Sequence, residues 1–146
     1  DLRQQIRAAS NDQAQVTDAS LLIVLTADLR AFANDPARYW RDAPPQVAEM
    51  LVAWMVPFYE GKDQLQRDEA MRSCGLAGQT IMLTAKAMGY DSCPMIGFDI
   101  EKVAELVNLP DDHVMGPMVA IGKGIKDPWP KPGQLALEEL VFENSF

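Results

Sequence analysis

Apolar residues follow two rhythms along this chain, a period of three to four and short unbroken runs, and these divide it into helices and strands. Leu2, Ile6 and Ala9 fall on one face of a helix over Leu2 to Ala9. The run Ala19-Ser-Leu-Leu-Ile-Val-Leu-Thr26 shows no alternation, which predicts a central strand covered on both faces. Asn34-Asp-Pro-Ala-Arg is turn chemistry, with Pro36 suited to a first helical position, and Tyr39 and Trp40 follow in a short helix or a loop. From Pro45 onward Val47, Met50, Leu51, Trp54, Met55 and Phe58 repeat at threes and fours, predicting an amphipathic helix that ends near Gly61.

The next helix is predicted from about Gln64 to Met88, with Asp63 and Gln66 in capping-box relation and Gly89 where a left-handed cap belongs. Met71, Cys74, Leu76, Ala77, Ile81, Met82 and Ala85 wrap most of its circumference, so it reads as largely buried. Gly75 and Gly78 inside it are each unfavourable by roughly 1 kcal/mol relative to Ala. Close packing against a neighbouring element explains them, and so does the approach of a planar ligand or a dimer partner; these readings are compatible.

The stretch Asp91–Asp99 is short and extended, leading to a helix over Ile100 to Val107. Asp99 caps that helix, Asn108 and Pro110 mark its end, and Ile100, Val103, Leu106 and Val107 face inward. His113 to Gly122 reads as a second buried strand. A loop from Lys123 to Gly133 precedes a last segment, Leu135–Phe142, in which Glu138 and Glu139 form a solvated helix face. Two strands covered on both faces do not complete a sheet, since each needs neighbours for its edge groups. With the opening at Asp1-Leu-Arg-Gln-Gln already helical, this predicts further sequence upstream or a partner chain that supplies the missing contacts.

Composition narrows the class. A chain of 146 residues suits one domain with its own core, and 48% hydrophobic with 23% charged residues is ordinary for a soluble globular protein. No apolar run approaches the ~20 residues that span a membrane. The formal net charge of -8 argues against general nucleic-acid binding, which needs a basic surface. Cys74 and Cys93 are too few for a disulfide scaffold and match no metal-site spacing, so a reducing, cytoplasmic compartment is the default.

Within this acidic chain, Lys123, Lys126 and Lys131 fall in one Gly/Pro-rich loop, countered locally only by Asp127. Gly122 and Gly124 flank the first lysine and let backbone N–H groups turn toward an anion; surface loops also simply contain lysines. The loop is neither a Walker P-loop nor a dinucleotide fingerprint. Pro94-Met-Ile-Gly-Phe98 is the second candidate. Gly97 permits ligand approach, and N–H groups beside Met95, Ile96 and Phe98 suit a planar heteroaromatic ring, although an ordinary strand-to-helix turn has the same composition. His113 is the single histidine and reads as a turn or strand-end residue, Cys74 as core filler, and Cys93 as a thiol with no activating cation nearby in sequence. No nucleophile–base pair can be assembled, which disfavours hydrolases and favours redox chemistry by a bound cofactor.

The segment Arg67 to Asp99, with Cys74-Gly-Leu-Ala-Gly78 and Asp91-Ser-Cys-Pro-Met-Ile-Gly-Phe-Asp99, resembles the long helix and flavin-side turn of the nitroreductase family. Met118-Val-Ala-Ile-Gly-Lys-Gly124, Trp129-Pro-Lys-Pro-Gly-Gln-Leu135 and Leu137-Glu-Glu-Leu-Val141 resemble its last core strand and C-terminal segment. The resemblance implies an α+β fold, with a central, mostly antiparallel sheet flanked by helices and incomplete in this chain. Residues 1–146 would be the C-terminal two-thirds to three-quarters of a single such domain, without the family's N-terminal Arg/Ser-rich and Ser…Asn…Gln/His-Trp flavin contacts. It implies FMN bound at the interface of a homodimer, and hydride passed from NAD(P)H through the flavin to nitroaromatics, quinones or similar acceptors. Pro94, Met95, Ile96 and Gly97 would border the isoalloxazine ring, and Gly122, Lys123 and Lys131 would lie toward the phosphate. Two departures stand out: Lys131-Pro-Gly-Gln134 replaces a segment that carries an arginine in many members, and Ile96 replaces an acidic residue found in some. A non-catalytic flavin-binding or interaction subunit is the alternative reading.

Overall fold

The computed structural model describes residues 1–146. β3 (His113–Gly122) is the middle strand of a three-stranded antiparallel sheet, between β1 (Leu21–Asp28) and β2 (Asp91–Met95). α1 (Leu2–Ala8), α2 (Gln15–Asp18) and α6 (Ile100–Leu106) cover one face, where Ile6, Val16 and Val103 enclose Met95, Met115, Met118 and Ala120. α5 (Asp63–Ala87) lies across the other face, so the class is α+β. α3 (Ala31–Asn34), a 3-10 helix (Pro36–Trp40) and α4 (Pro45–Tyr59) link the end of β1 to α5. No helix is long and apolar enough to cross a membrane.

The central strand contains Gly116-Pro117, residues that a strand interior normally excludes. The register explains them. Val24 pairs with Met118 and Thr26 with Met115, so Leu25 alone faces Gly116 and Pro117 across a β-bulge. The extra residue brings Met115 and Met118 onto the same face, into one core. It also presents Gly116 to α5, where a Cβ would stand 2.8 Å from Cys74 Cβ and 3.2 Å from the Leu25 carbonyl oxygen. Gly78 serves the same contact from the helix side, since a Cβ there would lie 3.2 Å from Leu25 Cδ1. Close packing therefore accounts for Gly78, whereas Gly75 has nothing within 4 Å.

Several expectations need correction. The strand expected over Ala19–Thr26 runs from Leu21 to Asp28 and is an edge strand, only partly covered. α5 is not buried around its circumference: Gln66, Ala70, Cys74, Gly78 and Ala85 form one buried stripe, while Leu76 (71% exposed) and Leu83 point away from the sheet. The proposed capping box is absent because α5 begins at Asp63 itself. Lys62 takes the cap position, and the Gln66 amide instead donates to the Tyr59 carbonyl at 2.8 Å, fixing the α4–α5 corner. Asp99 does cap α6, accepting from Lys102 N–H at 2.9 Å, but Ile100 is half exposed rather than inward. The last segment holds only a 3-10 turn, Leu137–Glu139, and is exposed throughout.

Candidate functional site

Pro94 and Met95 close the outer strand β2, where proline is tolerated because an edge strand has one unpaired side. Met95 is buried in the core and anchors the strand end. The chain then turns out of the sheet, leaving Ile96 73% exposed. This turn is held from behind. The Gly97 carbonyl accepts from Asn11 Nδ2 at 3.1 Å and Gln13 Nε2 at 3.0 Å, and Asp99 N–H donates to the Ala9 carbonyl at 2.8 Å. Asn11 and Asp12 reach this arrangement through left-handed backbone (φ 53 at each), a conformation these side chains tolerate. The N–H groups of Ile96 and Gly97 donate to no other group of the chain. Pro94–Gly97 is thus a fixed apolar ledge with two free backbone donors.

Gly122 pairs with Asp91 at the opposite end of β2, four residues and ~13 Å along the strand from Met95. Here the end of α5 meets the turn after β3. Lys123 Nζ donates to the Gly89 carbonyl at 2.7 Å and lies 4.3 Å from the Tyr90 ring centroid. Lys86 Nζ donates to Asp91 Oδ1 at 2.9 Å, and Gly124 N–H donates to Asp91 Oδ2 at 3.1 Å. Both lysines sit at a helix C-terminus, where the helix dipole favours cations. The hydrogen bond from Lys86, then that from Gly124 N–H, hold the Asp91 carboxyl below the usual carboxylate range.

Lys131 is placed apart from these groups. Its ammonium bonds Gln134 Oε1 at 3.1 Å within the same exposed segment and shares no hydrogen bond or ion pair with the other candidates. Sequence reasoning thus joined Gly122 with Lys123 and Pro94 with Gly97, and missed the residues that hold them. The Asn11 and Gln13 amides lie more than eighty residues from their acceptor, and only a turn-forming Asn-Asp pair hinted at them. Asp91 carries no signal of its own, because its partners, Lys86 and Gly124, come from the end of α5 and from the turn after β3.

Elsewhere, Cys74 is buried against Gly116 and burial pushes its thiol up, while Cys93 is exposed. His113 Nδ1 lies 2.7 Å from Asp112 Oδ1, beside Asp28 on the last rung of the β1–β3 ladder, a strand-closing role. The hydrogen bond with His113 lowers the Asp112 carboxyl. A cavity of about 470 Å³ opens between α3, α4 and α5, lined by Phe32, Tyr39, Trp40, Met55, Tyr59 and Ala70 among others. Trp40 Nε1 is enclosed near it without a hydrogen-bond partner. A second, of about 420 Å³, lies between β1 and α5 beside Ile81, Met88 and Tyr90. Neither includes the Pro94–Gly97 ledge.

Comparison with known proteins gives a consistent result. The family model described as "Nitroreductase family" matches residues 1–123. Protein DrgA of Synechocystis is 60% identical over 145 residues, covering 96% of this chain and 69% of that protein. MhqN of Bacillus subtilis, provisionally named a NAD(P)H nitroreductase, is 33% identical over 129 residues, covering 84% of this chain and 63% of its own length. The chain thus spans about two-thirds of each relative. A structure from Exiguobacterium sibiricum, solved in complex with FMN, superposes with a TM-score of 0.86 at 23% identity, over 96% of this chain and 70% of that one.

Proposed function

This chain belongs to the nitroreductase family, and from that premise we propose that it forms one wall of an FMN site in an NAD(P)H-dependent oxidoreductase acting on nitroaromatics, quinones or similar acceptors. The observation that carries the reading is the pair of free N–H groups at Ile96 and Gly97, fixed on an exposed apolar ledge. A planar ring laid on Pro94 and Ile96, with Met95 buried beneath as their anchor, would meet these donors at its nitrogen-bearing edge. The cations at the other end of β2 lie a strand's length away, which suits a molecule whose phosphate is separated from its ring by a sugar chain.

FMN, when bound, supplies the hydride-carrying chemistry that no side chain here provides. The chain's own contribution is orientation and charge. Asn11 and Gln13 hold the Gly97 carbonyl from behind and so anchor the turn that carries the two free N–H groups. Ile96, being apolar, excludes water from that side of the ring and brings no charge to it. Gly122, Lys123 and Lys131 would face the phosphate, Lys131 by movement of its exposed segment.

We read residues 1–146 as the larger part of a single domain that pairs with a second copy. The uncovered apolar residues of α4 and α5 support the pairing, among them Met50, Trp54 (65% exposed), Phe58, Leu76 and Leu83. The FMN-bound neighbour and the name of MhqN support the cofactor and the reductant.

Absorbance of the purified protein in the flavin bands tests this directly. The expected protein is yellow and bleaches with NADH or NADPH under anaerobic conditions. A colourless protein that takes up no added FMN rules the reading out for this chain. A yellow protein resistant to both reductants identifies a flavin-binding subunit without catalysis.

A further inference from the structure

The corner where β2 begins holds more cation than its salt bridge uses, and one carboxylate occupies its best donor. Asp91 accepts from Lys86 Nζ (2.9 Å) and from Gly124 N–H (3.1 Å), while Lys123 Nζ rests on the Gly89 carbonyl and over the Tyr90 ring. The contact is close: a Cβ at Gly124 would stand 2.5 Å from Asp91 Oδ2, so a side chain there would push the carboxylate off the turn. Gly122 pairs with Asp91 on the last rung of the β2–β3 ladder, which fixes the turn relative to the acid.

These three donors, two ammonium groups and a backbone N–H on a glycine-flanked turn, are what a phosphate monoester takes. In this chain an internal anion holds two of them. We propose that Asp91 is a specificity-determining residue whose carboxylate competes with the phosphate of the flavin and so sets how strongly the site prefers FMN to uncharged riboflavin. The proposal rests on the FMN reading above. The lysines and Asp91 together carry a net charge of one positive unit, and removing the carboxylate charge leaves two. Competition and support for the turn predict opposite outcomes. A carboxylate that merely positioned Gly124 would help the phosphate bind; a competing one hinders it.

Asp91→Asn separates them, because the amide oxygen still accepts from Gly124 N–H and the turn stays in place while the charge is gone. The ratio of riboflavin Kd to FMN Kd, measured by quenching of flavin fluorescence, is expected to rise about two- to fivefold, the scale of an exposed charge interaction. Riboflavin affinity itself should not move. An unchanged or falling ratio overturns the proposal. Gly124→Ala, which displaces the carboxylate from the turn without removing its charge, should raise the ratio less than Asp91→Asn. A flavin-free readout keeps the two readings apart. The Gly124 amide resonance, followed during titration with inorganic phosphate, should respond at lower phosphate in Asp91→Asn than in the unaltered chain. If neither flavin binds but that response is seen, the FMN reading falls and the anion competition stands. If flavins bind and neither the ratio nor the resonance responds, Asp91 has no such role.

Discussion

β3 and α4 are both apolar segments with opposite fates. Over its ten residues β3 encloses Met118 and Val119 completely, with β1 and β2 at its edges and helices above and below. Over its fifteen residues α4 buries nothing, although Val47, Met50, Trp54 and Phe58 mark one side as clearly as any core stripe. α5 shows the contrast within one element, a buried stripe toward the sheet and Leu76 and Leu83 facing away from it. An apolar pattern says that a face will be covered; it does not say by what. In this molecule the sheet and its flanking helices form the self-sufficient part, and α4 with the outer side of α5 forms the part that needs company.

The comparison is most exposed to failure at Met118. Truncating it to Ala removes a side chain with no exposure from the centre of the sheet, and large-to-small changes of this kind cost about 2–5 kcal/mol. Urea unfolding should show the midpoint falling with an unchanged slope. A loss below about 1 kcal/mol would mean that the sheet is loosely packed and that β3 differs little from α4.

Much of the self-sufficient part was legible in the sequence, and the reason is local consistency. β3 runs from His113 to Gly122 as its apolar residues on either side of Gly116-Pro117 predict, and α6 starts at its Asp99 cap. The errors lie where one sequence pattern serves two physical situations. Leucine-rich β1 reads as central, yet a strand half-covered within one chain has the composition of a strand covered by another. The outer residues of α5 were assigned to a core for the same reason. At the site, Gly97 has neither a left-handed backbone nor a contact that a Cβ would crowd, and its supports, Asn11 and Gln13, come from a distant turn that no local pattern connects to it. The loop pattern around Lys123 likewise gives no sign that the Gly89 carbonyl and the Tyr90 ring engage its ammonium.

Gly116 offers the next largest effect. A Cβ there meets the Cβ and Sγ of Cys74 at 2.8 and 2.9 Å and the Leu25 carbonyl oxygen at 3.2 Å. The bulge fixes β3, and α5 spans the sheet, so neither side can yield cheaply. Gly116→Ala should cost about 1–3 kcal/mol by overpacking, read again from the urea midpoint. Combining it with Cys74→Ala, which removes Sγ, should recover part of the loss. Absence of any recovery would place the strain at the Cβ of residue 74 and the Leu25 carbonyl, which the second change leaves in place.

Gly75 carries the smallest effect and the sharpest sign. It sits one residue beyond Cys74 on the same helix, yet a Cβ there meets nothing within 4 Å. In an isolated subunit Gly75→Ala should therefore stabilise by up to about 1 kcal/mol, the helix-propensity difference. If a second copy covers this side of α5, the same methyl group intrudes where two backbones approach, and a symmetric interface meets that intrusion from both subunits. Stability of an assembled protein depends on its concentration, so the two situations separate without any structure of the dimer. Thermal unfolding of Gly75→Ala at low concentration should exceed that of the unaltered chain, and the advantage should shrink or reverse as concentration rises. An advantage that stays constant across concentrations would show that this face meets only solvent. The outer side of α5 would then lend no support to pairing with a second copy, and α4 would have to carry that reading by itself.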